Sequence, residues 1–213
     1  MYDIAMFDAY FDWTKINTKG PNEIKKILTG TNSFQSDQLS DTLLNMLINL
    51  NLGKALDYGA GLGRNVGFIK GFSKEVDYID LIQYKDVLIH IVNKELYDKF
   101  YFIEDPKKGL VLEEEYDIVY ASVIFQHIVD ENVLKNIFNE LYSHTKYLLT
   151  IQNHLVTPLD GYLDGYFDIV YQEINACGFS VPHVVQLWVN CRYNKEFRNL
   201  YNYDVSEPST KSE

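Results

Sequence analysis

Residues 57–63 read Asp-Tyr-Gly-Ala-Gly-Leu-Gly, an acid followed by glycines at alternate positions. They close a short apolar run, 55–58, and lead into Arg64 and Asn65. A strand that reverses into a helix needs positive φ at the turn, which glycine adopts at least cost. Missing side chains also let a ligand lie against the backbone, and the amides that open the next helix favour a negative group. Asp57, ahead of the first glycine, suits a ligand that brings a cation to the strand end. A dinucleotide fingerprint would need its third glycine at Arg64 or at Val66, so the spacing argues against a nicotinamide oxidoreductase. No Gly-Lys-Ser/Thr follows, which excludes a phosphate-binding P-loop.

Other candidates for chemistry lie farther along. Asp80 ends a second apolar run about twenty residues after the glycine loop, where a carboxylate can accept from both hydroxyls of a ribose. Glu104 and Asp105 follow a third run, although Asp105-Pro106 is also a common turn pair. His127 and His154 fall near the ends of the fourth and fifth runs, where a general base would be useful. A lone histidine is more often structural, and His90, His144 and His183 have no motif around them. Gln126 is expected to face away from its neighbour and to tolerate substitution. The acid run 113–115 reads as a solvated turn, and no cluster has metal-ligand spacing. Cys177 and Cys191 read as two reduced thiols.

Strands alternating with helices must position these residues. A helix over 36–49 is expected, capped by Ser36 or Asp37, with Leu39, Leu43, Met46, Leu47 and Leu50 near one stripe. Strands are expected at 55–58, 76–80, 100–103, 116–121 and 147–151. Helices are expected at 65–72, after the second strand on Tyr84, Val87, Leu88, Ile91 and Val92, and after Asp130 on Leu134, Ile137, Phe138 and Leu141. Residues 152–165 read as an irregular loop. A helix over 167–177 would end at Gly178. Runs 184–193 and 197–203 flank 194–196 as a hairpin. The pattern predicts an α/β fold with a parallel sheet covered on both faces. Residues 1–35, rich in aromatics, read as an N-terminal cap segment, 36–205 as the main domain and 206–213 as a disordered tail.

The 213 residues are enough for one domain with a full core. A hydrophobic fraction of 46% and a charged fraction of 23% fit a soluble globular chain. No apolar run is long enough to span a membrane and no secretory leader is read, so a cytoplasmic location is expected. The net charge of -11 and the shortness of the basic clusters Lys25-Lys26 and Lys107-Lys108 argue against a polyanion partner.

Asp57-x-Gly59-x-Gly61-x-Gly63 resembles the first motif of class I S-adenosylmethionine-dependent methyltransferases. The resemblance extends through Asp80, Asp105, the stretch 116–127 ending in Gln126-His127, and Ala176-Cys177-Gly178-Phe179. It implies a Rossmann-like fold: a seven-stranded, mostly parallel sheet with helices on both faces and strand seven antiparallel. It also implies S-adenosylmethionine as cofactor, held by Asp57, Gly59, Ala60, Gly61, Gly63, Asp80, Leu81, Glu104, Asp105 and Ser122. Asp105 would accept from the adenine amino group. The expected reaction is methyl transfer to an oxygen or nitrogen of a small molecule, with His127 or His154 as candidate bases and no metal. Alternatives are a catalytically silent cofactor-binding module that serves a partner protein, and a nucleic-acid methyltransferase. The last lacks both the Asp/Asn-Pro-Pro-Tyr/Phe box and the Pro-Cys pair after strand four. The family's Pro-Gly-Gly turn before strand five is replaced by 143–146.

Overall fold

A computed structural model describes residues 37–91, 93–153, 159–175 and 182–201. The expected cap segment 1–35, the tail 206–213, His154, Cys177 and the junction 176–179 lie outside the described residues.

Seven strands form one sheet: β1 (Leu52–Tyr58), β2 (Ser73–Leu81), β3 (Lys99–Ile103), β4 (Tyr116–Ser122), β5 (Thr145–Asn153), β6 (Phe167–Asn175) and β7 (His183–Asn190). Their order is β3-β2-β1-β4-β5-β7-β6. Strands β1 to β5 pair in parallel, and β7 runs antiparallel to both of its neighbours. Only β7 is reversed, as expected for strand seven. The chain moves outward from β1 to β3 and then returns to place β4 on the other side of β1. That reversal opens a crevice at the carboxyl ends of β1 and β4, where open α/β sheets bind ligands.

Both faces are covered. One core joins Ala55, Val76, Ile118, Tyr120 and Leu149 to helices α1 (Asp41–Asn49), α2 (Val66–Ile69) and α5 (Asn194–Tyr201). The other joins Leu56, Val119, Ala121 and Leu148 to α3 (Glu131–His144) and α4 (Asp160–Leu163). Helix α3 follows its sequence closely. Asp130 accepts from the amides of Asn132 and Val133, and Leu134, Ile137, Phe138 and Leu141 are buried. The cap satisfies two orphan amides and sets a negative charge at the positive end of the helix dipole. Each buried side chain contributes about 1.5–3 kcal/mol.

Several expected elements differ. Helix α1 begins at Asp41 and is capped by Ser40, whose Oγ accepts from Leu43 N, while Asp37 turns inward. The helix after β1 shrinks to one turn, Val66–Ile69, as three positive-φ glycines delay its start. The segment Ile82–His90 after β2 is a 3-10 helix. The expected spacing of Tyr84, Val87, Leu88 and Ile91 suits a 3.6-residue turn, and the tighter 3-10 turn divides it between two faces. Residues 152 and 153 complete β5, and 160–163 form α4 within the expected loop. The helix expected over 167–177 is β6, and its hairpin partner is β7. Phe167-Asp168-Ile169-Val170-Tyr171 is rich in β-branched and aromatic residues, and a bulge between Ile169 and Tyr171 breaks the alternation that would reveal a strand. Residues 194–201 are helix α5 rather than a last strand. Phe197 and Tyr201, four apart, stack with ring centroids 4.8 Å apart, and Tyr201 Oη donates to Met46 O.

Candidate functional site

The glycine loop is held from below by β2. Ile79 O accepts from Gly59 N (2.9 Å) and from Ala60 N (3.3 Å), and Gly63 N donates to Ala60 O. Gly59, Gly61 and Gly63 all have positive φ, 70°, 57° and 75°. Tyr78 Oη donates to Gly61 O (3.0 Å) from inside the core. The amides of Gly59, Ala60 and Gly61 thus point to β2 rather than outward. The helix that follows, α2, is one turn long. What the loop presents is an acid-lined surface.

Asp80 ends β2 as expected and is 8% exposed. Its Oδ2 accepts from Gly61 N and its Oδ1 from Leu81 N, both at 2.7 Å. Burial pushes its carboxyl up from 3.8 to about 7, against the two amides, which pull it down. A carboxylate has about four lone-pair sites, so each oxygen can still accept from a hydroxyl. Asp57 ends β1 and is 2% exposed. Tyr97 Oη donates to its Oδ2 at 2.6 Å. Burial raises Asp57 to about 7 as well; Tyr97 and Arg64 pull it back, and Asp37 and Asp80 push it up.

Arg64, next after the last glycine, bridges three elements. Its Nη1 lies 2.7 Å from Asp37 Oδ1, and its Nη2 donates to Ser122 Oγ (3.1 Å) at the exit of β4. Asn65 exchanges two hydrogen bonds with Asp37, and Tyr120 Oη donates to the same carboxylate. Arg64 thus pairs with Asp37 and acts on Asp57, while Asp80, also buried, is met by the amides of Gly61 and Leu81, so three buried carboxylates stand against one guanidinium. The surplus is negative, so the site suits a ligand that carries cationic charge and hydroxyl donors. This balance fits S-adenosylmethionine, which brings a sulfonium, an ammonium and two ribose hydroxyls.

The exit of β4 closes over the loop. Val123 has φ 59°, a strained value for a β-branched residue, and its amide donates to Ile151 O (2.7 Å). Ile124 then packs on Gly59 so closely that a Cβ there would lie 2.2 Å from Ile124 Cδ1. His127, half-buried, ends the following 3-10 turn, Phe125–His127. Gln126 is not idle as expected, because its Oε1 accepts from Asn153 N at the end of β5 (3.0 Å). Among the remaining expected residues, Leu81 lies beside Asp80, and Glu104 is exposed past β3. Asp105 caps the turn Pro106–Lys108 by accepting from Lys107 N. Asp57, the glycines, Asp80 and Ser122 come together; Glu104 and Asp105 stand at the end of β3, beyond β2.

Sequence reasoning did not reach Tyr78, Tyr97, Asp37, Asn65 and Tyr120. Of these, Asn65 gave a signal by following the glycines closely, and Asp37 gave one as a candidate helix cap.

No family model and no curated protein matches the chain by sequence. Solved structures do match in shape. N-methyltransferase NodS from Bradyrhizobium japonicum, in complex with S-adenosyl-L-homocysteine, aligns with a TM-score of 0.55 and 11% identity, over 70% of this chain and 85% of that one. An S-adenosylmethionine-dependent methyltransferase from Clostridium acetobutylicum aligns with a TM-score of 0.53 and 12% identity, over 87% of this chain and 95% of that one. An rRNA methylase from Escherichia coli aligns with a TM-score of 0.50 and 15% identity, over 70% of this chain and 62% of that one. The chain has the Rossmann-like methyltransferase fold. In this fold the reversal between β1 and β4 coincides with the acid-lined glycine loop, so topology and side-chain chemistry mark the same crevice.

Proposed function

We propose that the protein is an S-adenosylmethionine-dependent methyltransferase that modifies an oxygen or nitrogen of a small molecule. The observation that carries this reading is the pair of buried carboxylates, Asp57 and Asp80, flanking three positive-φ glycines at the ends of β1 and β2. Asp80 and Leu81 would hold the ribose side, Gly59 to Gly63 would line the loop, and Asp57 would face the cationic part. Asp105 and Glu104 are proposed for the adenine side and Ser122 for the exit of β4. The cofactor supplies an electrophilic methyl group when bound. His127, at the β4 exit, would remove the acceptor's proton, and His154 is a second candidate base. The net charge of -11 supports a small-molecule acceptor over a nucleic acid.

Calorimetry tests the cofactor, with binding of S-adenosylmethionine or S-adenosylhomocysteine expected and none of NAD. A metabolite screen with labelled methyl donor tests the reaction. One observation favours a second reading, a silent module that acts through a protein partner: Ile124 occupies the space over Gly59 that a bound ligand would share. Tight cofactor binding without methyl transfer to any acceptor would select that reading.

A further inference from the structure

A cleft of about 300 Å³ opens at the carboxyl ends of β4 and β5, in the angle between the turn 125–129 and helices α3 and α4. Its size is at the small end of ligand clefts. Phe125, Ile128, Leu134 and Tyr162 give it apolar walls, and Glu131 stands at its border. One polar group inside is unexplained. Gln152, the penultimate residue of β5, is 6% exposed, and its Oε1 is buried with no hydrogen-bond partner among the described residues. Such an atom destabilises the fold unless a ligand completes it. The next amide of the strand, Asn153 N, already donates to Gln126 Oε1.

We infer that this cleft anchors the methyl acceptor, and that Gln152 selects a neutral molecule with a hydroxyl or N–H donor on an apolar or aromatic body. This rests on the reading of the protein as a methyltransferase. Among the described residues the lining holds no Lys, Arg or His to pair with an anion, and its one charged group is Glu131, so a neutral donor is favoured over a carboxylate or phosphate. The cleft begins where the β4 exit leaves the glycine loop, since Ile124 packs on Gly59 and the next residue, Phe125, forms the wall.

The test uses phenol, anisole and toluene as probes of one shape: a donor, an acceptor without a donor, and neither. Their binding to the full chain is followed by the backbone amide signals of the lining residues Phe125, Ile128 and Leu134 in NMR, with and without S-adenosylhomocysteine. Phenol should bind about tenfold tighter than anisole or toluene. Gln152→Met should bring the three within about twofold of one another and leave S-adenosylhomocysteine affinity unchanged. It should also raise Tm by about 2–4 °C by removing the unpaired atom. Equal binding of the three probes to the native chain overturns the inference, as does a phenol preference that survives Gln152→Met or a fall in Tm. The methyltransferase reading fails separately, if S-adenosylhomocysteine does not bind while the probes still discriminate. If both bind, yet an acceptor found with labelled methyl donor is not displaced by phenol, the cleft is not its anchor.

Discussion

Mild acid should stabilise this protein, and Asp80 is the residue that tests why. Burial moves its carboxyl from 3.8 to about 7 in the folded chain. The unfolded chain ionises the same group near 3.8. Between these values the folded state keeps a proton that the unfolded state has released. Stability is therefore full below about 4, falls as pH rises through the window, and levels off above about 7. For one acid the whole effect is at most about 4 kcal/mol, because a buried site relaxes when it ionises. Asp57 follows the same course to about 7, and the two repel, so they titrate as a pair. Asp98, Asp117 and Glu114 are held low instead, so their stabilisation is lost only below the ordinary carboxylate range, outside this window. Urea unfolding at pH 5 and pH 8, on the native chain and on Asp80→Asn, measures the difference. The native chain should be more stable at pH 5 by a few kcal/mol, with Tm higher by about 2–4 °C per kcal/mol. Asp80→Asn should lose about half of that dependence. A ligand that presents a cation and hydroxyl donors favours the ionised acids, so S-adenosylhomocysteine should release protons on binding near pH 6.5. Stability that stays flat between pH 5 and 8, or a slope that is undiminished in Asp80→Asn, would refute the argument.

Gly61→Val should abolish S-adenosylhomocysteine binding in calorimetry. Its φ of 57° strains a β-branched residue by about 1–2 kcal/mol, and its amide is the donor that seats Asp80. Arg64→Met should lower stability in urea by about 3–5 kcal/mol, because it leaves the fully buried side chain of Asp37 without its ion pair. Retention of native stability would show that Asn65 and Tyr120 suffice. His127→Ala should slow turnover by about two to four orders of magnitude with cofactor affinity unchanged. A joint fall of rate, affinity and Tm would instead make it a packing residue.

The first five strands could be read from sequence because a buried parallel strand is nearly continuous in apolar residues, as in 55–58, 76–80 and 116–121. Helix α3 was equally plain, since cap and stripe agreed. The last third could not be read the same way. Gly178 gave a helix stop after 167–177, and that local signal conflicted with the β-rich run Ile169-Val170-Tyr171. Tertiary pairing decided the conflict: β6 is an edge strand that takes its conformation from β7, whose residues follow their partners at distances that run from Asn175–His183 to Phe167–Asn190. Only the tertiary partner fixes such a segment, and propensity counted within it is a weak guide.

The site divides along the same line. Asp57, Gly59, Gly61 and Gly63 were visible because one turn requires them at fixed spacing, and Asp80 because it ends the next strand. What these residues do depends on partners that local spacing does not reveal. Tyr97 reaches Asp57 from 40 positions away, Tyr120 reaches Asp37 from 83, and Asp37 itself meets Asn65 across 28. The consequence is more than geometric. Asp57 alone reads as an ionised acid awaiting a cation. Buried within the field of Arg64, Asp37 and Asp80, it is an acid whose charge depends on pH and on what binds. The motif thus supplies the position of the carboxylate. Burial pushes its protonation one way and the hydroxyl of the distant Tyr97 pulls it the other, and their balance sets the preference for a cationic ligand.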